Sequence, residues 1–183
     1  MARHDFTTAA SQANQVWVTD ITGHPTKEGK LYFCAVKDVF SNRIIGYAAG
    51  AHMSSSLALS ALNTAVARRK ISGQDVAGCI VHSDRGSQFR SAKYCHALTD
   101  HGLRGSMGRV AAAGDNAAME SFFSLLQRNV LNTRTWGTRE ELTITVISWI
   151  DRRYYRRRRQ KRLGQLTPLE YETINKKTAL KAA

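Results

Sequence analysis

Residues 16–21, Val16-Trp17-Val18-Thr19-Asp20-Ile21, alternate as a β-strand does, with Val16, Val18 and Asp20 on one face and Trp17, Thr19 and Ile21 on the other. A carboxylate thus shares a strand face with two valines. Cys79 to His82 is a second short apolar run, β-branched at its centre, that stops at Asp84 and turns at Arg85-Gly86, as a buried strand does. Between these runs, GHPTKEG (23–29) reads as a turn-rich loop. LYFCAVKD (31–38) and RIIGYAAG (43–50) then read as two strands of a hairpin. Leu103 to Met107 supplies a fifth short strand.

Helical periods fill the spaces. Ser54 to Ser56 offer N-caps to a helix over Leu57 to Arg69, in which Ala58, Ala61, Leu62, Ala65 and Val66 recur on one face. SGQDVAG ends it, and a second helix covers Ala92 to Asp100. GRVAAAGD (108–115) is a loop, and Asp115 caps the next helix, whose apolar stripe is Met119, Phe122, Phe123, Leu126 and Val130. Glu120 lies about a quarter turn from the middle of that stripe, at its margin. Thr138 and Glu141 form a capping box, and Leu142, Val146, Trp149 and Ile150 follow as a core-facing stripe on a helix expected to reach Arg157. Strands alternating with helices after an initial hairpin predict an α/β fold, a mixed five-stranded sheet flanked by helices. The expected divisions are an N-terminal arm at 1–15, a core at 16–157 and a basic C-terminal arm at 158–183.

The chain of 183 residues, 43% hydrophobic, is long enough for one domain with a proper core. Lys and Arg outnumber Asp and Glu by 27 to 14, a net charge of +13. Eight of those thirteen charges lie in residues 151–183, a distribution that suits a polyanion such as nucleic acid. Cys34, Cys79 and Cys95 are odd in number and lack Cys-x-x-Cys spacing, which argues against a disulfide framework. No run reaches the roughly 18 apolar residues of a spanning helix, and the first fifteen residues lack the apolar centre of a signal peptide. A soluble, cytoplasmic protein with access to a bacterial nucleoid is the expectation.

Three acids carry the chemistry. Asp20, Asp84 and Glu120 each sit at an end of a regular element, and 35 residues separate the last two. Brought together they repel, since two unit charges about 5 Å apart at an effective dielectric of about 20 cost roughly 3 kcal/mol. Hard divalent cations with oxygen ligands offset that, magnesium foremost, with manganese as a substitute. Two such ions about 3.5 to 4 Å apart can activate a water or a 3′-hydroxyl and stabilise the departing oxygen of a phosphodiester.

WVTDIT, LYFCAVKDVFSNRIIGY, HSDRGSQF, SMGR with GDNAAMESFF, and LGQLTPLEY occur in this order from about Gln15 to Glu172. In them the chain resembles the catalytic core of OrfB-type insertion-sequence transposases, the IS-three family, which belong with retroviral integrases. The resemblance implies a ribonuclease H-like fold and a DDE triad at Asp20, Asp84 and Glu120. It implies nicking at element ends and transfer of the freed 3′-hydroxyl, with magnesium, on DNA held by a homo-oligomer. It also implies a helix-turn-helix region for end recognition, expected here to be separate or missing. Two alternatives share the site: a catalytically silent DNA-binding or assembly protein derived from a transposase, and a ribonuclease H-like nuclease.

Family members usually carry Lys or Arg seven residues after the glutamate; this chain has Gln127, with Arg128 next to it. The other candidate DNA contacts are Arg85 and Gln88 after the second acid, Asn116 one turn before Glu120, and Arg152, Arg153, Arg156, Arg157, Arg158 and Arg159. Tyr154 and Tyr155 either stack on DNA or cover the core. Asp38 either approaches the site or opens a turn, and His82 reads as a satisfied core histidine. Cys95-His96 with His101 lacks the paired spacing of a zinc site.

Overall fold

β1 (Val16–Thr26) is the strand on which the sheet is organised. The computed structural model describes residues 10–107 and 117–182. β1 runs antiparallel to β2 (Gly29–Asp38), from Trp17 opposite Asp38 to Thr26 opposite Gly29. The loop expected at 23–29 is therefore mostly strand. β1 beyond Val18 pairs with β2 alone, so Pro25, which has no N–H, sits where the ladder has a free edge. β2 continues into β3 (Ile44–Gly50) as the expected hairpin, with a bulge at Val36/Lys37. On the other side of β1, β4 (Ile80–Ser83) and β5 (Arg104–Met107) run parallel, giving the order β3-β2-β1-β4-β5.

The alternation in residues 16–21 divides the core as predicted. Trp17, Cys34, Val36 and Val81 pack against α1 (Ser55–Ile71) and α2 (Ala92–Asp100). Ser54 caps α1 by accepting the N–H of Leu57 at 3.3 Å. α1 lies so close to β3 that a Cβ on Gly46 would stand 2.3 Å from the Ala61 carbonyl oxygen, so only glycine fits there. On the opposite face, Val16, Val18, Phe33 and Ala35 pack against Met119, Phe122, Phe123 and Leu126 of α3 (Ala117–Asn129) and Leu142 and Val146 of α4 (Arg139–Trp149). Thr138 caps α4 through Glu141 N–H at 3.0 Å, while the Glu141 carboxylate accepts from Gly137 N–H.

The helix expected to reach Arg157 changes character at Trp149. Residues Ile150–Tyr154 form a π turn, in which Tyr155 N–H reaches the Ile150 carbonyl at 3.0 Å. Successive residues of an α-helix point about 100° apart, which would turn one of two adjacent tyrosines outward. The wider turn buries both: Tyr154 Oη donates to Asn42 O at 2.8 Å and Tyr155 Oη to Ile44 O. The tyrosines therefore cover the core and do not stack on DNA.

From residue 158 the chain remains tied to the core. Arg162 donates to the Val39 carbonyl at 3.0 Å, and Asn42 to Gln160 at 2.8 Å. A second capping box then starts α5 (Pro168–Ala182): Thr167 accepts Glu170 N–H while Glu170 accepts Thr167 N–H at 2.8 Å. The loop over residues 108–115 and the Asp115 cap lie outside the described residues.

Candidate active site

The site lies where β4 runs out beside β1. Val18 is level with His82, the last pair of the parallel ladder; Asp20 follows two residues on within β1, and Asp84 comes directly after the end of β4 at Ser83. Both share the parity of the face that α3 covers, and α3 brings Glu120 in its first turn. Asp20 is half-buried; Asp84 and Glu120 are exposed.

The carboxylate of Asp20 accepts the N–H of Ile21 at 2.7 Å, and that of Asp84 accepts Gly86 N–H at 2.9 Å. Burial pushes the Asp20 carboxyl up to about 6, against the Ile21 hydrogen bond, with further upward pushes from the charges of Asp84 and Glu120. Asp20 thus feels the charges of both Asp84 and Glu120. No salt bridge joins any of them to Lys or Arg among the described residues. Nor are they drawn into a tight cage: among the described residues no three His, Cys, Asp or Glu side chains are gathered closely enough to hold a metal ion. The donor set itself, three oxygen ligands with uncompensated charge, suits a hard divalent cation.

The neighbouring candidates divide. Arg85 is exposed beside Asp84. Gln88 is 9% exposed and packs over Gly86, where any Cβ would meet its Nε2 at 2.3 Å. It therefore shapes the turn that carries Asp84. Gln127 and Arg128 are exposed on α3, with Arg128 Nε on its own helix at Ser124 O. Arg152, Arg153, Arg156, Arg157, Arg158 and Arg159 are all exposed. Asn116 lies outside the described residues. His82 is a buried residue whose Nδ1 stands 3.2 Å from Ser106 Oγ, as a satisfied core histidine should.

Lys37 escaped the sequence reading. It is 4% exposed on the α3 side of β2, and its Nζ donates to Ala118 O at 2.9 Å, two residues before Glu120. Burial, with Arg162 and Arg158 nearby, pushes its ammonium down to about 7. A lysine among the alternating apolar residues of LYFCAVKD was the available signal.

Asp38 stands at the start of the β1–β2 ladder, paired with Trp17 rather than Asp20. Its carboxylate takes Arg69 at 2.7 Å and the N–H groups of Asn14 and Phe40. Arg69 also holds Glu172 of α5 at 2.7 Å, and Ser41 and Arg43 complete the cluster. Burial opposes the charge of Glu172, but the hydrogen bonds and charge of Arg69, then of Ser41 and Arg43, hold it down at about 2.

A mixed sheet in the order β3-β2-β1-β4-β5, with an acid within β1, one just after the adjacent parallel strand β4 and one on the covering helix, is the ribonuclease H-like fold of integrase catalytic cores. Two models described as "Integrase core domain" match residues 10–113 and 120–175, and the chain belongs to that family. It is 40% identical over 166 residues to the transposase InsF for insertion sequence IS3A of Escherichia coli (strain K12), covering 91% of this chain and 56% of the relative. It is 35% identical over 166 residues to the transposase for insertion sequence element IS904 of Lactococcus lactis, covering 91% and 64%. The chain thus spans little more than half the length of these relatives. Among solved structures, the HTLV-2 integrase catalytic core domain in complex with magnesium aligns with a TM-score of 0.63 at 15% identity, covering 89% of this chain and 99% of that one. A simian T-cell lymphotropic virus intasome chain aligns with a TM-score of 0.69 at 17% identity, covering 89% and 55%.

Proposed function

We propose that this chain is the catalytic core of a DNA transposase that nicks insertion-sequence ends and transfers the freed 3′-hydroxyl to a second phosphodiester. The observation that supports the reading is that Asp20 on β1 feels the charges of Asp84, just after β4, and Glu120 on α3, with no basic partner in salt-bridge contact among the described residues. The three carboxylates would hold two magnesium ions, or manganese in their place, which supply activation of the attacking oxygen and stabilisation of the leaving one.

The protein's own residues define the rest. The Ile21 and Gly86 N–H groups fix the Asp20 and Asp84 carboxylates. The Lys37 bond to Ala118 O ties the first turn of α3, and with it Glu120, to the sheet. Arg85 and Arg128, with the arginines after Trp149, supply positive charge for DNA phosphates. Its relatives are transposases, and an integrase core is known as a trimer and within an intasome. We infer by analogy a homo-oligomer on DNA, with end recognition aided by a helix-turn-helix region and the reaction carried out in the bacterial cytoplasm. No described helix is long and apolar enough to cross a membrane.

The test is plasmid nicking and oligonucleotide joining with magnesium or manganese, with Asp84→Asn as control. Activity in both assays that Asp84→Asn abolishes is the expected result. Folded, DNA-bound protein inactive in both would sink the reading, and nicking without joining would favour a nuclease.

A further inference from the structure

The C-terminal ends of α3 and α4 and the π turn border an open, solvent-facing pocket of about 240 Å³, lined by Asn129, Trp149, Arg153, Tyr154, Arg157 and Arg158. We propose that it binds one unpaired nucleotide of DNA, with the phosphate between Arg153 and Arg157 and the base against Trp149. The choice of DNA over other phosphate carriers rests on the function proposed above.

The backbone explains why three guanidinium groups meet there. Both Arg157 N–H and Arg158 N–H close on the Arg153 carbonyl, at 3.0 and 2.9 Å. In a regular α-helix Arg158 would point about 140° from Arg153. Closure over five residues brings it round to the same side. None of the three arginines forms a salt bridge among the described residues. Their clustered charge calls for an anion, and a planar guanidinium matches the oxygens of a phosphate.

The aromatic wall is equally specific. Trp149 is half-buried, its inner side packed against Tyr154 at 5.7 Å and Phe122 at 6.3 Å between ring centroids. Its indole N–H has no acceptor among the described residues, where Asn129 uses its amide on Leu125 O at 2.8 Å and its Oδ1 has no donor. Base–aromatic stacking contributes roughly 1–3 kcal/mol per base. The volume is below the ~300 Å³ at the low end of small-molecule sites, so it suits a phosphate with part of one nucleotide rather than a whole cofactor. A base stacked inside a duplex cannot enter, which selects frayed or single-stranded ends.

The experiment uses the full chain in EDTA, so that no chemistry is needed. Trp17 and Trp136 are 0% and 1% exposed, so acrylamide quenching reports Trp149. Hexathymidylate should shield that emission, and a blunt duplex or inorganic phosphate at equal phosphate concentration should not. Arg153→Gln/Arg157→Gln should weaken hexathymidylate binding at least about tenfold, against less than about threefold for Lys70→Gln/Lys93→Gln, which removes the same charge from the opposite face of the sheet. Absence of shielding, equal shielding by duplex or phosphate, or equal weakening in the two double variants would each overturn the proposal. The wild-type measurement decides even if a variant misfolds. Shielding without nicking or joining would remove the proposed reaction and leave the pocket standing, and the reverse would remove only the pocket.

Discussion

Two groups of carboxylates lie a few residues apart along β1, Asp38 level with Trp17 and Asp20 three residues on, and they are solved in opposite ways. Asp38 and Glu172 are buried against Arg69, with Arg43 and Ser41 completing their hydrogen bonds. Asp20, Asp84 and Glu120 have no such cation among the described residues, and burial, with the charges of Asp84 and Glu120 added, makes ionising Asp20 costly. Acids neutralised inside the chain hold the fold together. Acids left to repel store a demand for charge from outside, which is what a metal-dependent site requires.

The sharpest way to break this contrast is to exchange the consequences of mutation. Asp84→Asn should cut joining by about 10³-fold or more, equivalent to about 4 kcal/mol of barrier, with little effect on stability; an assay of strand joining at saturating DNA checks it. Arg69→Met should do the reverse. It strands two buried carboxylates, so urea denaturation should show a destabilisation of roughly 3–5 kcal/mol, with the per-molecule rate of any folded fraction retained.

Asp20 and Glu172 should also answer pH with opposite signs, whereas burial raises Asp38 in the same direction as Asp20. Asp20 titrates near 6 in the folded chain against about 4 when unfolded, so the folded state binds that proton more tightly. Its contribution is complete below pH 4 and is lost as pH rises through 6, by up to about 3 kcal/mol without metal. Glu172, held at about 2, contributes above its unfolded value of about 4.3 and loses that as pH falls through 2. Urea midpoints of metal-free protein between pH 2 and 8 should show both limbs. Asp20→Asn should shrink the upper limb, leaving the part that belongs to buried Asp38, and Glu172→Gln should remove the lower one. The smallest effect concerns the exposed arginines: replacing Arg156 and Arg159 by Gln should flatten the log–log salt dependence of DNA binding by about 0.9 for each phosphate that is no longer neutralised.

How far the sequence revealed this depended on the range of the signal. Alternation in residues 16–21 put Asp20 on the face of Val16 and Val18, and the same two valines face α3 in the structure. Period alone set α2 at residues 92–100 and the buried stripe of α3. Gly23 and Pro25 suggested a loop because a tertiary ladder, not local preference, holds them in β1. The pairing of Arg69 with Glu172 has no local signature, because the two residues meet only after five strands and four helices have folded. The π turn was equally hidden, since it answers the need to bury two adjacent tyrosines. For the candidate site, the strand face of Asp20 and the helix of Glu120 could be read, whereas the spacing of the three acids depends on where α3 docks, which has no local signature.

The parallel pairing of β1 with β4 has a consequence in time. The first acid waits through the whole excursion of β2, β3 and α1 before its strand partner is synthesised, and longer for the helix bearing the third. A nascent chain that has not yet reached α3 therefore lacks one of the three candidate carboxylates.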